Sequence, residues 1–215
     1  MNDETATPAI TCKPGGPYIV NGLSDLKDAR GNSVQCKPTI ALCRCGGSAK
    51  KPFCDGTHAR NGFTDAKQAD RTADHRETYV GKNITIHDNR AICAHAGICT
   101  DNLASVWRMH DEPWIDPDGA AAAAIIAVIA RCPSGALSYA TADADVPAED
   151  TAPAVRALPD GPYEVTGPIA LNDQGWGDGA KRDHYTLCRC GASKNKPFCD
   201  GSHWQAGFKD GGPLD

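Results

Sequence analysis

The sequence has few aromatic residues and no long apolar segment. Phenylalanine, tryptophan and tyrosine make up 6% of the 215 residues, which leaves little bulky material for a hydrophobic core. The longest apolar run, at residues 120–130, has 11 residues, whereas a membrane-spanning helix needs about 20. The first residues lack the basic and apolar stretches of a secretory signal. We therefore expect a soluble, cytoplasmic chain that does not enter a membrane.

The sequence also lacks the signatures of nucleic-acid binding and of common catalytic sites. The formal net charge is −5 and no run of five or more Lys or Arg residues occurs, which argues against a nucleic-acid surface. The glycine-rich stretch at residues 175–179 lacks the Lys-Ser/Thr of a phosphate-binding loop. No Ser-His-Asp or Cys-His nucleophile arrangement stands apart from the cysteine motifs described next. We therefore predict that the chain is not an enzyme by itself.

Cysteine, by contrast, is abundant, and six of the 11 cysteines lie in a motif that occurs twice. The motif C-x-C-x8-C-x3-H spans residues 43–58 and returns at residues 188–203, with every position displaced by 145 residues. The donor residues are Cys43, Cys45, Cys54 and His58 in the first copy, and Cys188, Cys190, Cys199 and His203 in the second. Three thiols and one imidazole at a fixed spacing, used twice, predict two metal sites.

The donor set narrows the choice of metal. Thiolates suit zinc or iron–sulfur centres, and zinc sites usually take their cysteines from C-x2–4-C pairs. Here the first pair is C-x-C, and the third Cys is separated from the His by an Asp-Gly turn. Three Cys and one His also suit a [2Fe-2S] cluster, with two Cys on one iron and Cys plus His on the other. A structural zinc site is the alternative, because spacing alone does not exclude it.

Both copies resemble the CDGSH iron–sulfur family, whose pattern is C-x-C-x2-(S/T)-x3-P-x-C-D-G-(S/T)-H. The further matching positions are Ser48, Pro52 and Asp55 in the first copy, and Ser193, Pro197 and Asp200 in the second. The resemblance implies two [2Fe-2S] clusters, each held by three Cys and one His. It also implies that two units of about 50 residues pair about a twofold axis, because one unit alone buries too small a core.

The repeat defines the expected domain organisation. Strand-like runs at residues 17–22 and 39–42 return at residues 162–167 and 184–187. We predict an α+β fold in which two small β-rich CDGSH units pair within one monomeric chain as a pseudo-dimer; pairing between chains, giving a homo-oligomer, is the alternative. The predicted boundaries are 1–65 for the first CDGSH unit, with residues 1–15 as a loosely attached lead-in, 66–76 for a linker, 77–140 for an inserted module, 141–160 for a second linker and 161–215 for the second CDGSH unit.

The inserted module has its own pattern of elements. Tyr79, Ile84 and Ile86 indicate a strand, and residues 113–116 indicate a second short strand. Asp116-Pro117 is typical of a helix start, and it predicts a helix that runs to about Arg131. A further helix is predicted over residues 101–109, with a core Trp107 and a surface His110.

A third set of cysteines, Cys93, Cys99 and Cys132, lies in this module. The segment resembles the divergent single-cluster ferredoxin-like family, with its C-x-H-x-G-x-C signature and a later C-P, and Ala96 stands where the middle ferredoxin Cys belongs. The resemblance implies three thiolate ligands, which match a [3Fe-4S] cluster. A [4Fe-4S] cluster with His95 as fourth ligand is the alternative, and His95 otherwise only donates a hydrogen bond. Three structural thiols without metal are a further alternative.

Two cysteines fall outside all three sets. The positions 145 residues after Cys12 and Cys36 are Ala157 and Lys181, so neither cysteine belongs to the repeat and no role is assigned to either. The three ligand sets together favour one-electron transfer with redox partner proteins. The alternatives are storage of clusters and their delivery to apo iron–sulfur acceptors through the labile ligands His58 and His203, or redox sensing.

Overall fold

The computed structural model describes residues 7–141, 151–172 and 174–210. The outer ends of both CDGSH units (1–6 and 211–215), residue 173, and residues 142–150 of the predicted second linker lie outside the described residues. Within the described ranges the chain forms 11 β-strands, two α-helices and two short 3₁₀ helices, in agreement with the α+β class. No helix in these ranges has the length and apolar character needed to cross a bilayer.

Both repeats are built from the same four strands, displaced by 145 residues. The strands are β1 (Ala9–Cys12), β2 (Tyr18–Asn21), β3 (Asp25–Lys27) and β4 (Thr39–Leu42), followed later by β8 (Ala154–Ala157), β9 (Tyr163–Thr166), β10 (Ala170–Asn172) and β11 (His184–Leu187). The predicted strands β2, β4, β9 and β11 are present. Residues 1–15 were predicted to be a loosely attached lead-in, which was wrong for residues 9–12, because they form β1. Strand β8 lies within residues 141–160, which were predicted to be a linker.

Each sheet takes one strand from the other repeat. The strand orders are β10-β1-β2-β4 and β11-β9-β8-β3. Strand β10 pairs in parallel with β1, with Ile10 opposite Leu171, and β3 pairs in parallel with β8, with Leu26 opposite Val155. These four side chains are buried in one cluster that contains residues of both repeats. The two repeats therefore share one hydrophobic core within the chain.

The inserted module has a sheet and a core of its own. Strands β5 (Glu77–Val80), β6 (Thr85–Asp88) and β7 (Leu137–Ala140) form an antiparallel sheet in the order β5-β6-β7. Helices α1 (Ile98–Asn102) and α2 (Ala122–Ile129) complete the module, and 3₁₀ helices lie at Thr57–Ala59 and Arg90–Ile92. Ile86, Trp107, Ile115, Ile125 and Ile129 are fully buried in its core, which agrees with the predicted position of Trp107.

Three element predictions in the module were wrong. Helix α2 begins five residues later than predicted, because the Asp116 side chain accepts from the Asp118 amide (3.1 Å) and closes a turn instead of capping a helix. Residues 113–116 do not form a strand, and Ile115 makes a single bridge to Trp107. The predicted helix at residues 101–109 is replaced by the shorter α1, which is followed by turns, and His110 is exposed as predicted.

Candidate metal centres

The first CDGSH loop brings its four donors together as two close pairs. The sulfurs of Cys43 and Cys45 are 3.9 Å apart, and Cys54 Sγ lies 3.4 Å from His58 Nδ1. Two ligands of one tetrahedral ion, at the usual metal–sulfur and metal–nitrogen distances, lie about 3.8 Å apart for two sulfurs and about 3.5 Å apart for sulfur and nitrogen. Each pair therefore has the separation expected of two ligands on one ion.

The second loop repeats this geometry. Cys188 Sγ and Cys190 Sγ are 3.8 Å apart, and Cys199 Sγ lies 3.5 Å from His203 Nδ1. Among the described residues, no three or more His, Cys, Asp or Glu side chains converge as a single metal ion would require. Each loop therefore presents two donor pairs, and this arrangement fits the two irons of a binuclear [2Fe-2S] cluster.

The Asp-Gly-Thr/Ser-His segment is held by local hydrogen bonds. The Asp55 carboxylate accepts from the Thr57 amide (3.1 Å), the Thr57 hydroxyl (2.7 Å) and the Ala49 amide (2.9 Å). These hydrogen bonds, those from Thr57 first, hold the pKa of Asp55 well below its usual value. Gly56 has φ +86, a left-handed conformation that glycine adopts without strain. The turn thus directs His58 back towards Cys54.

Each loop is also anchored by a serine. The Ser48 hydroxyl donates to the Phe53 carbonyl (2.7 Å) and accepts from the Lys50 amide (3.0 Å). Ser193 makes the same contacts with Phe198 (2.7 Å) and Asn195 (3.1 Å) in the second copy. Ser48 and Ser193, which lie between the ligands in the motif, therefore stabilise the loop that carries the thiols.

Burial controls the protonation of the thiols when no metal is bound. Desolvation raises the pKa of Cys43 and, much more strongly, that of Cys199. The hydrogen bond between Cys188 and Cys190 raises the pKa of Cys188 and lowers that of Cys190. Because a metal binds the thiolate form, loading these sites must release protons.

Each loop is held in place by a tyrosine from the opposite repeat. The Tyr18 hydroxyl donates to the carbonyls of Cys188 (2.9 Å) and Pro197 (3.1 Å). Tyr163, its counterpart, donates to the carbonyls of Cys43 (3.1 Å) and Pro52 (2.9 Å). Cys45 and Cys190 also form a backbone bridge to each other. Reasoning from sequence missed the two tyrosines, although their equal spacing from the repeated cysteines was visible.

The two loops differ in exposure. His203 is 5% exposed, whereas His58 is half-buried. Cys199 is buried and Cys54 is half-buried. The first site is therefore the more open one, although the two ligand sets are the same.

The third set of cysteines lines one cavity in the inserted module. Cys93, Cys99 and Cys132 all contribute to a cavity of about 750 Å³. Cys99 lies in α1 and Cys132 follows the end of α2, so both helices position ligands. Burial raises the pKa of Cys93 to about 12, and Arg90 donates to its sulfur at 3.6 Å. The three predicted ligands of the central site therefore line one cavity.

His95 lies at the edge of this cavity with both ring nitrogens near other groups. Its Nε2 is 3.2 Å from the Arg90 guanidinium, and its Nδ1 lies against Gly201, where a Cβ would be 2.4 Å away. Its backbone amide donates to Cys93 Sγ at 3.4 Å. Burial, followed by the charge of Arg90, lowers the pKa of His95.

The two unassigned cysteines contribute to packing in the described structure. Cys12 lies in β1 and Cys36 in a loop, and both pack against the shared core. Burial raises the pKa of each thiol. Neither cysteine joins one of the three ligand sets.

Two protein-family models match the chain. The model described as iron-binding zinc finger CDGSH type matches residues 15–59 and 160–204, and the model described as divergent 4Fe-4S mono-cluster matches residues 79–142. Curated relatives include the uncharacterized protein YjdI of Escherichia coli strains K12 and O157:H7. Each is 41% identical over 61 residues, which cover 28% of this chain and 80% of the relative. No solved structure matches the chain.

Proposed function

Since the chain belongs to the CDGSH-type iron-binding family and carries a divergent 4Fe-4S mono-cluster domain between its two CDGSH domains, we propose that it binds three iron–sulfur clusters and transfers single electrons. The observation that carries this proposal is the arrangement of the CDGSH donors in two close pairs per loop. A bound cluster supplies a one-electron couple, which none of the side chains here provides by itself. The protein is then an electron carrier and not an enzyme.

The histidine ligands set the properties of the two CDGSH sites. His58 and His203 each present Nδ1 to the neighbouring thiol, so Nε2 is directed away from the metal. A neutral imidazole in place of an anionic thiolate leaves less negative charge on the reduced site. The reduction potential of each CDGSH site should therefore lie above that of an all-thiolate site.

In the central site we propose that Cys93, Cys99 and Cys132 are the protein ligands. Three thiolates alone would hold a [3Fe-4S] cluster, whereas the matching family is of the 4Fe-4S type, which favours [4Fe-4S] with a fourth ligand other than cysteine. Because the ring nitrogens of His95 face Arg90 and Gly201, we assign His95 the role of supporting Cys93 through its amide. The ferredoxin-like fold of the module is part of this proposal.

We also propose that the two CDGSH units form an internal pseudo-dimer and that the protein acts as a monomer in the cytoplasm. The exchange of β3 and β10 between the two sheets supports this arrangement, as do the reciprocal contacts of Tyr18 and Tyr163. In this arrangement the two CDGSH sites and the central site belong to one monomeric protein. The partners would be proteins that donate or accept single electrons.

The proposal is tested by counting metal and sulfide in protein purified without oxygen. We expect about seven or eight irons per chain with matching sulfide, from two binuclear sites and one cubane-type site. Electron paramagnetic resonance (EPR) spectra before and after reduction should show signals from both kinds of cluster. Replacing Cys99 with Ser should remove the cubane-type signal and leave the CDGSH signals. Colourless protein that contains zinc and no sulfide would contradict the proposal.

A second candidate function, delivery of a cluster to apo-proteins, is favoured by the greater exposure of the first site. An imidazole ligand is displaced more readily than a thiolate, so His58→Cys should slow chelator-driven loss from the first site by roughly tenfold, the scale on which changes around a ligand alter metal binding. Loss is followed by visible absorbance and by transfer to an apo-ferredoxin. The matched variant His203→Cys should have a smaller effect, because the second site is already shielded. Equal loss from wild type and His58→Cys would rule out this route.

A further inference from the structure

The inserted module packs against the second cluster loop. The Asn195 side chain donates to the Ala91 carbonyl (2.8 Å) in a buried position. The indole of Trp204 donates to the His95 carbonyl (3.1 Å), and the His95 ring fills the space beside Gly201. Three contacts thus join the loop that carries Cys199 to residues 91–95, the segment on both sides of Cys93.

The residues that make these contacts differ between the two copies of the repeat. The counterparts of Asn195 and Trp204, 145 residues earlier, are Lys50 and Ala59. Lys50 is exposed, and the methyl side chain of Ala59 has no group that could donate a hydrogen bond. The ligands are the same in both loops, whereas the two residues that donate hydrogen bonds to the inserted module occur only in the second.

A short series of contacts runs from the central cysteines to the ligand set of the second loop. The Cys93 sulfur accepts from the His95 amide (3.4 Å), and the His95 carbonyl accepts from the Trp204 indole (3.1 Å). The Trp204 ring centroid is 5.3 Å from that of His203, with 36° between the ring planes. Two hydrogen bonds and one ring contact therefore connect Cys93 to His203.

We propose that the second CDGSH site, and not the first, exchanges electrons with the central site through His95 and Trp204. With clusters held by Cys93, Cys99 and Cys132 and by the second CDGSH ligands, one electron would leave the central site, which would be oxidised, and enter the second CDGSH site, which would be reduced. We choose this direction because a His ligand raises the potential of a CDGSH site above that of an all-thiolate site. A one-electron donor of the reduced flavoprotein class returns the central site to its reduced state. The inference rests on the proposed function, because both sites must hold clusters.

The role in electron exchange that we assign to His95 and Trp204 can be separated from their contribution to packing. His95 and Trp204 are positioning residues, since neither supplies a ligand atom in this scheme. Trp204 is 64% exposed, so its removal costs little buried area and should leave the fold intact. A purely structural role for Trp204 would predict no change in electron exchange once both sites are loaded.

The test replaces Trp204 with Ala, the residue found at the equivalent position of the first repeat, and measures electron exchange in the fully loaded protein. Limited dithionite is added, samples are freeze-quenched, and EPR follows the electron from the central site to each CDGSH site. The signal of the second site is identified with His203→Cys. We expect exchange with the second site to be fastest in wild type and at least tenfold slower in Trp204→Ala. Trp204→Phe, which keeps a ring but loses the hydrogen bond, should be intermediate.

Val80→Ala provides the control, because Val80 is 78% exposed in the inserted module; its exchange rate should equal that of wild type. An unchanged rate in Trp204→Ala with full iron and sulfide content would overturn the inference and leave the proposed function standing. Equal reduction of both CDGSH sites in wild type would also overturn it. Protein that binds no cluster would instead overturn the proposed function itself.

Discussion

Replacing Asp210 with Ala is expected to lower the free energy of unfolding by about 3–5 kcal/mol, because it leaves a buried charge without its partner. Arg189, between the two cysteines of the second C-x-C, is 1% exposed and forms an ion pair with Asp210. Its guanidinium also donates to the Gly161 and Leu158 carbonyls, so it cannot turn towards water without disturbing the loop. Chemical denaturation monitored by circular dichroism measures the loss.

The first repeat supplies a matched control for this ion pair. Arg44 pairs with Asp65 at 3.2 Å, but the Asp65 side chain is 32% exposed. Water therefore reaches the Asp65 carboxylate, although the Arg44 side chain is only 3% exposed, and Asp65→Ala should lower the free energy of unfolding by less than Asp210→Ala does. If the two substitutions destabilised the protein equally, burial would not be what distinguishes the two ion pairs.

Replacing Gly46 or Gly191 with Ala should destabilise the contact between the two CDGSH loops by more than the strain of the backbone alone. Gly46 has φ +76, and a Cβ there would lie 2.4 Å from the carbonyl oxygen of Cys190. Gly191 has φ +80, and its Cβ would lie 2.7 Å from the carbonyl oxygen of Cys45. Each neighbour is a backbone atom and cannot rotate away. We expect losses of about 2–4 kcal/mol, the sum of about 1–2 kcal/mol for the left-handed conformation and a clash of similar size.

The control for this prediction is Gly31→Ala. Gly31 has a similar φ of +79, but a Cβ there would meet no atom within 4 Å. Gly31→Ala therefore isolates the conformational strain, which is about 1–2 kcal/mol. Denaturation curves compare stability, and iron content compares loading, which should fall at both CDGSH sites only in the Gly46 and Gly191 variants. Equal losses at all three positions would show that the loops do not press on each other as described.

Spacing in the sequence indicated the ligand pairs because Cys-x-Cys and Cys-x3-His are local patterns, and local geometry holds each pair together. The strands that enter the loops, β4 and β11, were predictable for the same reason. Strands β1 and β3 were not, since each pairs in parallel with a strand far away in the chain. Ile10, for example, pairs with Leu171.

Local sequence patterns also could not predict the contact between the inserted module and the second CDGSH loop. The signal that could have found it is the mismatch between the copies: Trp204 against Ala59, and Asn195 against Lys50. A repeat that keeps its ligands while changing neighbouring residues indicates that one copy meets a surface the other does not. Which surface it meets depends on packing of the inserted module, and no local preference encodes that packing.

The exchange of strands has a consequence for the order in which the protein matures on the ribosome. Strand β1 is translated long before β10, its neighbour in the sheet, so the N-terminal sheet stays open until residue 172 has emerged. The inserted module, which has its own sheet and core, can fold in the meantime. The N-terminal loop thereby gains the contacts of Tyr163 and the closed sheet only when translation is nearly finished.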